Sequence, residues 1–174
     1  MSKPTGPCKP KYYCDGKATK SDWKACPKGH SCSGPDQPMP CGAGYYQDDT
    51  AQSKCKPCPA GYYCNDTYGP VIHYGIFECP TGYYCPNLTE YATKFPCPLG
   101  TFNNLTKRRA SSDCIPCTGG FACDEPGLSS PYKLCSAGYF CKQWANSTTP
   151  DLGSYANECP LGYFCPKGKY VFLN

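Results

Sequence analysis

The sequence has few of the large aliphatic and Phe side chains from which globular proteins build a core. Among 174 residues there are only two Val, three Ile, eight Leu and seven Phe, about 11% of the chain. This content is too low to offset the conformational entropy that is lost when so many residues become ordered. We therefore expect no single large core. We also expect no membrane span in this chain, because no apolar run approaches ~20 residues.

The chain also has little of the chemistry that marks nucleic-acid binding or catalysis. Its net charge of +4 comes from scattered Lys with only two Arg, without the basic helix of a nucleic-acid footprint. His30 and His73 are its two histidines, and the chain has no Ser or Cys free to act as a nucleophile in a recognisable context. The acidic pairs Asp48-Asp49 and Asp124-Glu125 lack the spacing of a calcium loop and are expected to be solvated turns. We predict no enzyme activity, no metal site and no cofactor.

Cysteine is what the sequence has in abundance. Eighteen Cys in 174 residues exceed the level that marks a disulfide scaffold, and 20 Pro and 18 Gly favour turns over long helices. Each bridge contributes about 2–4 kcal/mol, so bridges can replace a missing core. The expected fold class is a small disulfide-rich protein, an elongated rod of tandem cysteine-rich modules with short irregular β-strands and almost no helix.

Two signals predict an extracellular or cell-surface location. Disulfides persist in oxidising compartments. Four Asn-x-Ser/Thr sequons are candidate sites for N-linked glycans, at Asn65, Asn87, Asn104 and Asn146. The first residues, Met1-Ser-Lys-Pro-Thr-Gly-Pro, have no apolar core of a signal peptide, so we expect the chain to be a mature or partial form.

A short motif, Cys-x-x-Gly-aromatic-aromatic, recurs along the chain. It begins at Cys41, Cys58, Cys79, Cys135 and Cys159, with looser copies at Cys8, Cys26, Cys97 and Cys117. In seven of the nine copies a second Cys follows six positions later, whereas Gln47 and Asn103 take that place in the other two. Taken in order, the cysteines form three sets of six and predict three repeats, residues 1–55, 56–114 and 115–174, the last with a variant end. Gly in the motif permits a positive φ where the backbone turns beside a bridge.

The run Cys-Pro-x-Gly-Tyr-Tyr, followed by Cys-x-x-Cys-Pro-x-Gly-Tyr-Tyr, resembles the ephrin-receptor-like cysteine-rich repeat, a relative of tumour-necrosis-factor-receptor-type and growth-factor-receptor-type modules. The resemblance implies a pairing in which simple loops alternate with interleaved bridges. The simple loops would be Cys41–Cys55 and Cys97–Cys114. The interleaved bridges would be Cys8–Cys26 with Cys14–Cys32, Cys58–Cys79 with Cys64–Cys85, and Cys117–Cys135 with Cys123–Cys141.

Two points of this pairing stay open at the level of sequence. Cys159 and Cys165 are left over, and either close a six-residue loop or begin a further module. A scheme in which every Cys-x5-Cys closes on itself is the alternative to the interleaved bridges, because spacing does not fix connectivity.

Two further motifs have an ordinary and a functional interpretation. Cys55-Lys-Pro-Cys58 and Cys114-Ile-Pro-Cys117 have the spacing of zinc or redox pairs, but they fall where repeats join and are expected to be structural disulfides. The basic run Lys107-Arg108-Arg109 is expected to be exposed loop charge, with a processing site or a contact for an acidic glycan as the alternative.

These observations favour a non-catalytic structural protein of an extracellular coat or filament, with copies of itself or neighbouring repeats as partners. Identical repeat ends that meet head to tail make a contact that does not close, which produces fibres. The alternative is a cysteine-rich receptor ectodomain that binds a protein ligand, because the cysteine pattern resembles that of receptors.

Overall fold

The computed structural model describes residues 6–34, 37–150 and 156–168. Its architecture is the expected one: a small disulfide-rich protein of repeated modules, with two short 3₁₀ turns, Tyr74–Ile76 and Ser111–Asp113, as its helical elements in the described part. The strands are short: β1 Tyr12–Tyr13, β2 Lys24–Ala25, β3 His30–Ser31, β4 Met39–Pro40, β5 Tyr45–Tyr46, β6 Lys56–Pro57, β7 Thr101–Phe102, β8 Ile115–Pro116, β9 Phe121–Ala122, β10 Lys133–Leu134, β11 Tyr139–Cys141 and β12 Ala156–Glu158.

We call each segment that begins at the first Cys of the motif a module and number its positions from that Cys, so that Gly is position 4 and the second Cys is position 7. The aromatic positions 5 and 6 of one module pair, antiparallel, with the two residues that precede the next module. Six two-stranded sheets, β1–β2, β3–β4, β5–β6, β7–β8, β9–β10 and β11–β12, have this arrangement. Isolated bridges, Tyr62 with Glu78 and Tyr83 with Pro96, repeat the pairing at the remaining two links.

A tight turn inside each module reverses the chain. The position 5 N–H donates to the position 2 carbonyl in all nine modules, as in Tyr12 to Lys9 and Tyr163 to Pro160. Position 4 has a positive φ throughout, between 76° for Gly29 and 91° for Gly61, as the third residue of a type II turn requires. Lys11 adopts the same conformation with φ 76° in the one module that lacks Gly there. The predicted role of this Gly is confirmed.

The turn decides the disulfide pairing, and the interleaved bridges implied by the resemblance are wrong. The reversal brings the Cα atoms of positions 1 and 7 to 5.8–5.9 Å, a separation that a disulfide spans without strain. Each Cys-x5-Cys therefore closes on itself. The bridges are Cys8–Cys14, Cys26–Cys32, Cys58–Cys64, Cys79–Cys85, Cys117–Cys123, Cys135–Cys141 and Cys159–Cys165, in place of Cys8–Cys26, Cys14–Cys32, Cys58–Cys79, Cys64–Cys85, Cys117–Cys135 and Cys123–Cys141.

The two modules without a Cys at position 7 form longer loops. Cys41 pairs with Cys55 and Cys97 with Cys114, as expected. The left-over cysteines, Cys159 and Cys165, close their own six-residue loop.

The buried apolar residues form small separate clusters, and most of them are half-cystines. One cluster contains Cys58, Cys64 and Val71, covered by Tyr46, Tyr62, Tyr74 and Phe77. A second gathers Phe102, Cys117 and Cys123, and a third Cys135, Cys141 and Ala145. Disulfides thus take the place of an aliphatic core.

By its contacts the chain divides into two compact units, Met1–Glu78 with Pro86–Ala92 and Cys79–Cys85 with Thr93–Asn174. The tight turn recurs in nine modules, and the predicted division into repeats 1–55, 56–114 and 115–174 is not tested by this recurrence. The division into three sets of six cysteines and the elongated shape stay predictions.

Candidate interaction surfaces

Successive modules are joined by a pair of backbone hydrogen bonds centred on position 4. The position 4 carbonyl accepts from the N–H of the next module's first Cys, and the position 4 N–H donates to the next module's position 7 carbonyl. In the link between the modules that begin at Cys97 and Cys117, these bonds are Cys117 N to Gly100 O, 2.8 Å, and Gly100 N to Cys123 O, 2.8 Å. The same two bonds occur at seven links, which begin at Cys8, Cys26, Cys41, Cys79, Cys97, Cys117 and Cys135. Because only main-chain atoms take part, the sequence between the fixed positions is free to vary.

A second residue with positive φ, at position 10 or 11, strengthens the link. Its N–H donates to the carbonyl of the preceding module's first Cys, as from Leu88 to Cys58 and from Lys107 to Cys79, both 2.9 Å. The φ angles of these two residues are 67° and 62°. Ala51, Gly127, Trp144 and Gly168 make the equivalent bond.

The same segment also packs on the Gly at position 4 two modules earlier. A Cβ atom on Gly44 would lie 2.8 Å from the carbonyl oxygen of Leu88, and one on Gly100 would lie 2.5 Å from that of Trp144. At Gly82 the corresponding distance, to the Gly127 oxygen, is 2.1 Å. Gly is therefore needed at these positions for space as well as for its φ.

Buried amides replace the half-cystine where position 7 is not Cys. Gln47 is 1% exposed and Asn103 is fully buried. The Asn103 Nδ2 donates to the Tyr83 carbonyl at 2.9 Å, and its Oδ1 accepts from the Leu105 N–H at 3.0 Å. Gln47 bonds the Lys54 carbonyl and the Asp49 N–H in the same way. Sequence reasoning noted both residues as missing cysteines but missed this role, although an amide at the Cys position was a visible signal.

The acidic pairs are parts of ion pairs at module links. Lys56, two residues before Cys58, bonds Asp48 and Asp49 at 2.6 Å each. Lys24 bonds Asp15 at 2.8 Å, and Lys133 bonds Asp124 and Glu125 at 2.9 Å each. In all three ion pairs the Lys lies two residues before the first Cys of the later module, which we call position −2. The first carboxylate lies at position 8 of the earlier module.

The charges of these pairs shift each other's proton affinity. The hydrogen bond from Lys56 lowers the pKa of Asp48, and the two carboxylates raise the pKa of Lys56. Likewise Lys24 lowers the pKa of Asp15, and Lys133 lowers that of Glu125. The side chains are partly exposed to solvent, so each of these pairs contributes little to stability.

The two Cys-x-x-Cys motifs are structural, as expected. Cys55 and Cys58 belong to different bridges, and so do Cys114 and Cys117. In the described part of the chain no Cys is a free thiol. In each motif the first Cys closes one module and the second Cys closes the next.

The basic run and the two histidines, the remaining candidate residues, make contacts within the fold. The backbone of the basic run takes part in a link, because the Arg108 carbonyl accepts from the Cys85 N–H at 2.8 Å. Arg109 donates its N–H to Asp113 at 2.7 Å, and this bond lowers the pKa of Asp113. His30 Nδ1 is 3.0 Å from the Lys28 carbonyl, and the His73 ring lies against Tyr74.

Three of the sequon asparagines, Asn87, Asn104 and Asn146, are exposed, and Asn65 is half-buried. The Asn87 Oδ1 accepts from the Ala60 N–H of the preceding module at 2.8 Å. Asn65 accepts bonds from the N–H and hydroxyl of Thr67, the third residue of its own sequon. The four asparagines thus lie at or near the described surface.

An apolar groove of about 480 Å³ lies in the segment that follows Cys64, within the module that begins at Cys58. Tyr63, Pro70 and Phe77 form part of its lining, and Asn65 is at its edge. Tyr68 and Ile76, which also line it, are 103% and 78% exposed. Beside the groove, Tyr46 and Tyr62 pack edge to face on Tyr74, with ring centroids 4.8 Å and 5.0 Å apart.

Comparison with models of known protein families finds no match to this chain, and comparison with curated proteins finds none either. Nine disulfides nevertheless indicate an oxidising, secretory or extracellular environment. Among the residues that the structure describes, no helix has the length and apolarity to cross a membrane.

Proposed function

We propose that the chain is a non-catalytic structural protein of an extracellular or cell-surface assembly. The observation that supports this best is the repeated link, with the same backbone hydrogen bonds at seven places. A link of this kind specifies how modules follow one another, and it needs no particular side chain beyond Gly and Cys. Repeats joined only to near neighbours are suited to building extended structures.

The placement of the polar side chains agrees with this proposal. The acidic pairs bind Lys at module links, the buried amides replace bridges, and the Cys-x-x-Cys cysteines are all disulfide-bonded. Each of these groups has a structural partner. The kinship with ephrin-receptor-like repeats stays a proposal, as does the occupancy of the four sequons.

The experiment is electron microscopy of the native protein, in negative stain, taken from the cells or medium in which it accumulates. We expect filaments or sheets whose repeat matches the chain, and labelling by an antibody against residues 56–114. Discrete single particles at all concentrations would refute the proposal. Intact mass before and after removal of N-linked glycans tests the glycoprotein part, which an unchanged mass would exclude.

A receptor ectodomain is the second candidate, and the groove at Tyr68 and Ile76 favours it, because large exposed apolar side chains mark interaction sites. Substituting Ile76→Asp separates the two functions. A receptor would lose its ligand while a structural subunit would still assemble.

A further inference from the structure

The apolar groove in the module that begins at Cys58 has a floor that belongs to the packed part of the fold. Val71 lines the groove, is 4% exposed and packs in the cluster of Cys58 and Cys64. Tyr63 and Phe77 also line it, and their rings pack edge to face with centroids 5.4 Å apart. The groove is therefore built on the disulfide of its own module and on a fixed pair of aromatic rings.

Three large apolar side chains of the groove are exposed to solvent. Tyr68 is 103% exposed, Ile76 78% and Ile72 54%. Single exposed apolar residues are ordinary, whereas several of them at one concave surface mark a place where something binds. The groove volume of about 480 Å³ lies within the range of about 300–1,000 Å³ that is typical of small-ligand sites. The groove thus has the size and the chemistry to hold a compact ligand with an apolar face.

The chain has an attachment point for such a ligand in the groove itself. Asn65 is one of the lining residues and begins the sequon Asn65-Asp66-Thr67. Its side-chain oxygen accepts from the N–H and the hydroxyl of Thr67, so the oxygen end of the amide is held within the chain. A glycan is attached at the other end of the amide, through Nδ2. The first sugar of a glycan on Asn65 would therefore begin beside the groove.

The first sugar of an N-linked glycan has the chemistry that fits this surface. N-acetylglucosamine has an apolar ring face and an acetyl methyl group besides its hydroxyl groups. The apolar face packs on aromatic and aliphatic side chains, while the hydroxyl groups stay in water. A sugar that is tethered beside the groove is present at an effective concentration in roughly the millimolar range, so a weak contact is enough to hold it there.

We propose that Asn65 is glycosylated and that the first N-acetylglucosamine of its glycan lies in the groove, packed against Tyr68 and Ile76. The inference rests on the secretory location in the proposed function, because that location exposes the sequon to glycosylation. The glycan covers apolar side chains that would otherwise promote non-specific association of a secreted protein. It also occupies the surface that a protein ligand of a receptor would use.

The sequon at Asn87 supplies a matched control on the same compact unit. Asn87 is exposed and lies outside the residues that line the groove. Its side-chain oxygen accepts from the Ala60 N–H at 2.8 Å. A glycan on Asn87 would add the same sugar to the same unit at a place outside the groove.

The test is hydrogen exchange of the full chain, secreted by a host that adds high-mannose glycans and trimmed by an endoglycosidase to the first sugar at each site. The reporters are the amides of Gly69 and Phe77, which each donate a 2.9 Å hydrogen bond within the groove segment. We expect exchange there to be about 2- to 10-fold slower in the wild type than in Asn65→Gln, because a sugar stacked on a ring contributes about as much as an aromatic pair. Asn87→Gln should leave both amides unchanged.

Tyr68→Ser shows whether the glycan acts through the groove. Because Tyr68 is fully exposed, its loss should not change exchange in the Asn65→Gln background, but it should remove the protection in the glycosylated chain. This double-mutant cycle isolates the contact between the sugar and the ring. The NMR signals of the sugar ring protons should also be shifted upfield by the Tyr68 ring, and Tyr68→Ser should abolish the shift.

The outcomes separate this contact from the proposed function. An unmodified Asn65 in peptide mass spectrometry, or equal exchange in the wild type and Asn65→Gln, would overturn the inference and leave a structural role intact. Protection that survives in Tyr68→Ser would place the sugar outside the groove and also overturn it. Native protein that never assembles, with a sugar seated in the groove, would instead refute the proposed function alone. Variants are compared only when intact mass shows all cysteines oxidised.

Discussion

Substitution of Asn103 by Ala tests whether a buried amide replaces a disulfide. The side chain is fully buried and makes two hydrogen bonds, to the Tyr83 carbonyl and from the Leu105 N–H. Ala would remove the partner of both main-chain groups at a partly buried site. Each unsatisfied group costs about 1–3 kcal/mol, so we expect local stability to fall by about 2–4 kcal/mol.

The assay follows opening at this site, because repeated modules do not unfold as one cooperative unit. The Gly82 N–H bonds to the Asn103 carbonyl at 2.7 Å and reports directly on the link. A loss of about 2 kcal/mol increases hydrogen exchange by about 30-fold, since 1.4 kcal/mol corresponds to tenfold. Amide exchange at Gly82 and Leu105 should therefore accelerate at least to this extent, with the disulfides intact.

The matched control is Leu105→Ala, which keeps the N–H donor and alters an exposed side chain. We expect exchange at Gly82 to change less than about twofold, because exposed substitutions shift stability by only about 0.5 kcal/mol or less. If Asn103→Ala behaved like this control, the amide would have no structural role and the reasoning would fail.

Two further predictions concern the links, and a third concerns a candidate glycan site. Gly82→Ala and Gly138→Ala impose the same strain at φ 83° and 85°, but only the Gly82 Cβ meets a carbonyl oxygen, at 2.1 Å. We expect hydrogen exchange at the amides beside each substitution to show a cost of about 1–3 kcal/mol for Gly138→Ala and a larger one, or failure of secretion, for Gly82→Ala. Equal costs would contradict the packing argument. Lys56→Met should raise the pKa of Asp48 toward its ordinary value, as measured by carboxyl NMR. The lowered pKa stabilises the folded state above the pKa that the carboxylate has in the unfolded chain. The extra stability of the wild type over Lys56→Met should therefore vanish as pH falls through the folded pKa of Asp48. If the pKa of Asp48 stayed low in Lys56→Met, Lys56 would not be the cause of the shift. Asn87→Gln should remove one glycan from the intact mass and leave the module folded, and an unchanged mass would show that Asn87 is unmodified.

The fold class was predictable from the sequence because cysteine content and turn residues act locally. The Gly at position 4 predicted the positive φ for the same reason, as Gly61 and Gly82 show. The pairing was not predictable, because the same cysteine spacing fits local and interleaved bridges equally well. What decides it is the chain reversal at positions 2 to 5, which brings the two cysteines of one module together, and the Gly at position 4 signals this turn without stating which cysteines pair.

The second positive-φ position had a signal in the sequence only at Gly127 and Gly168. Ala51, Leu88, Lys107 and Trp144 adopt it, and none of these residue types favours that conformation. They are held there by bonds to the preceding module, so the conformation is a product of the link. The structural role of Asn103 was easier to predict from the sequence, because an amide in place of a half-cystine is visible once the nine copies of the motif are compared.

The local closure of seven bridges has a consequence for biosynthesis. A loop of about seven residues restricts the unfolded chain less than one of about 18, by about 1 kcal/mol per bridge in the chain-entropy model. Because the two thiols of such a module are only six residues apart, they emerge from the ribosome almost together at a synthesis rate of about 5–20 residues per second. Oxidation can then proceed in the order of synthesis, each pair closing before the next is exported. A nascent chain of this design has little need for disulfide isomerase to correct long-range mispairing, however many modules it carries.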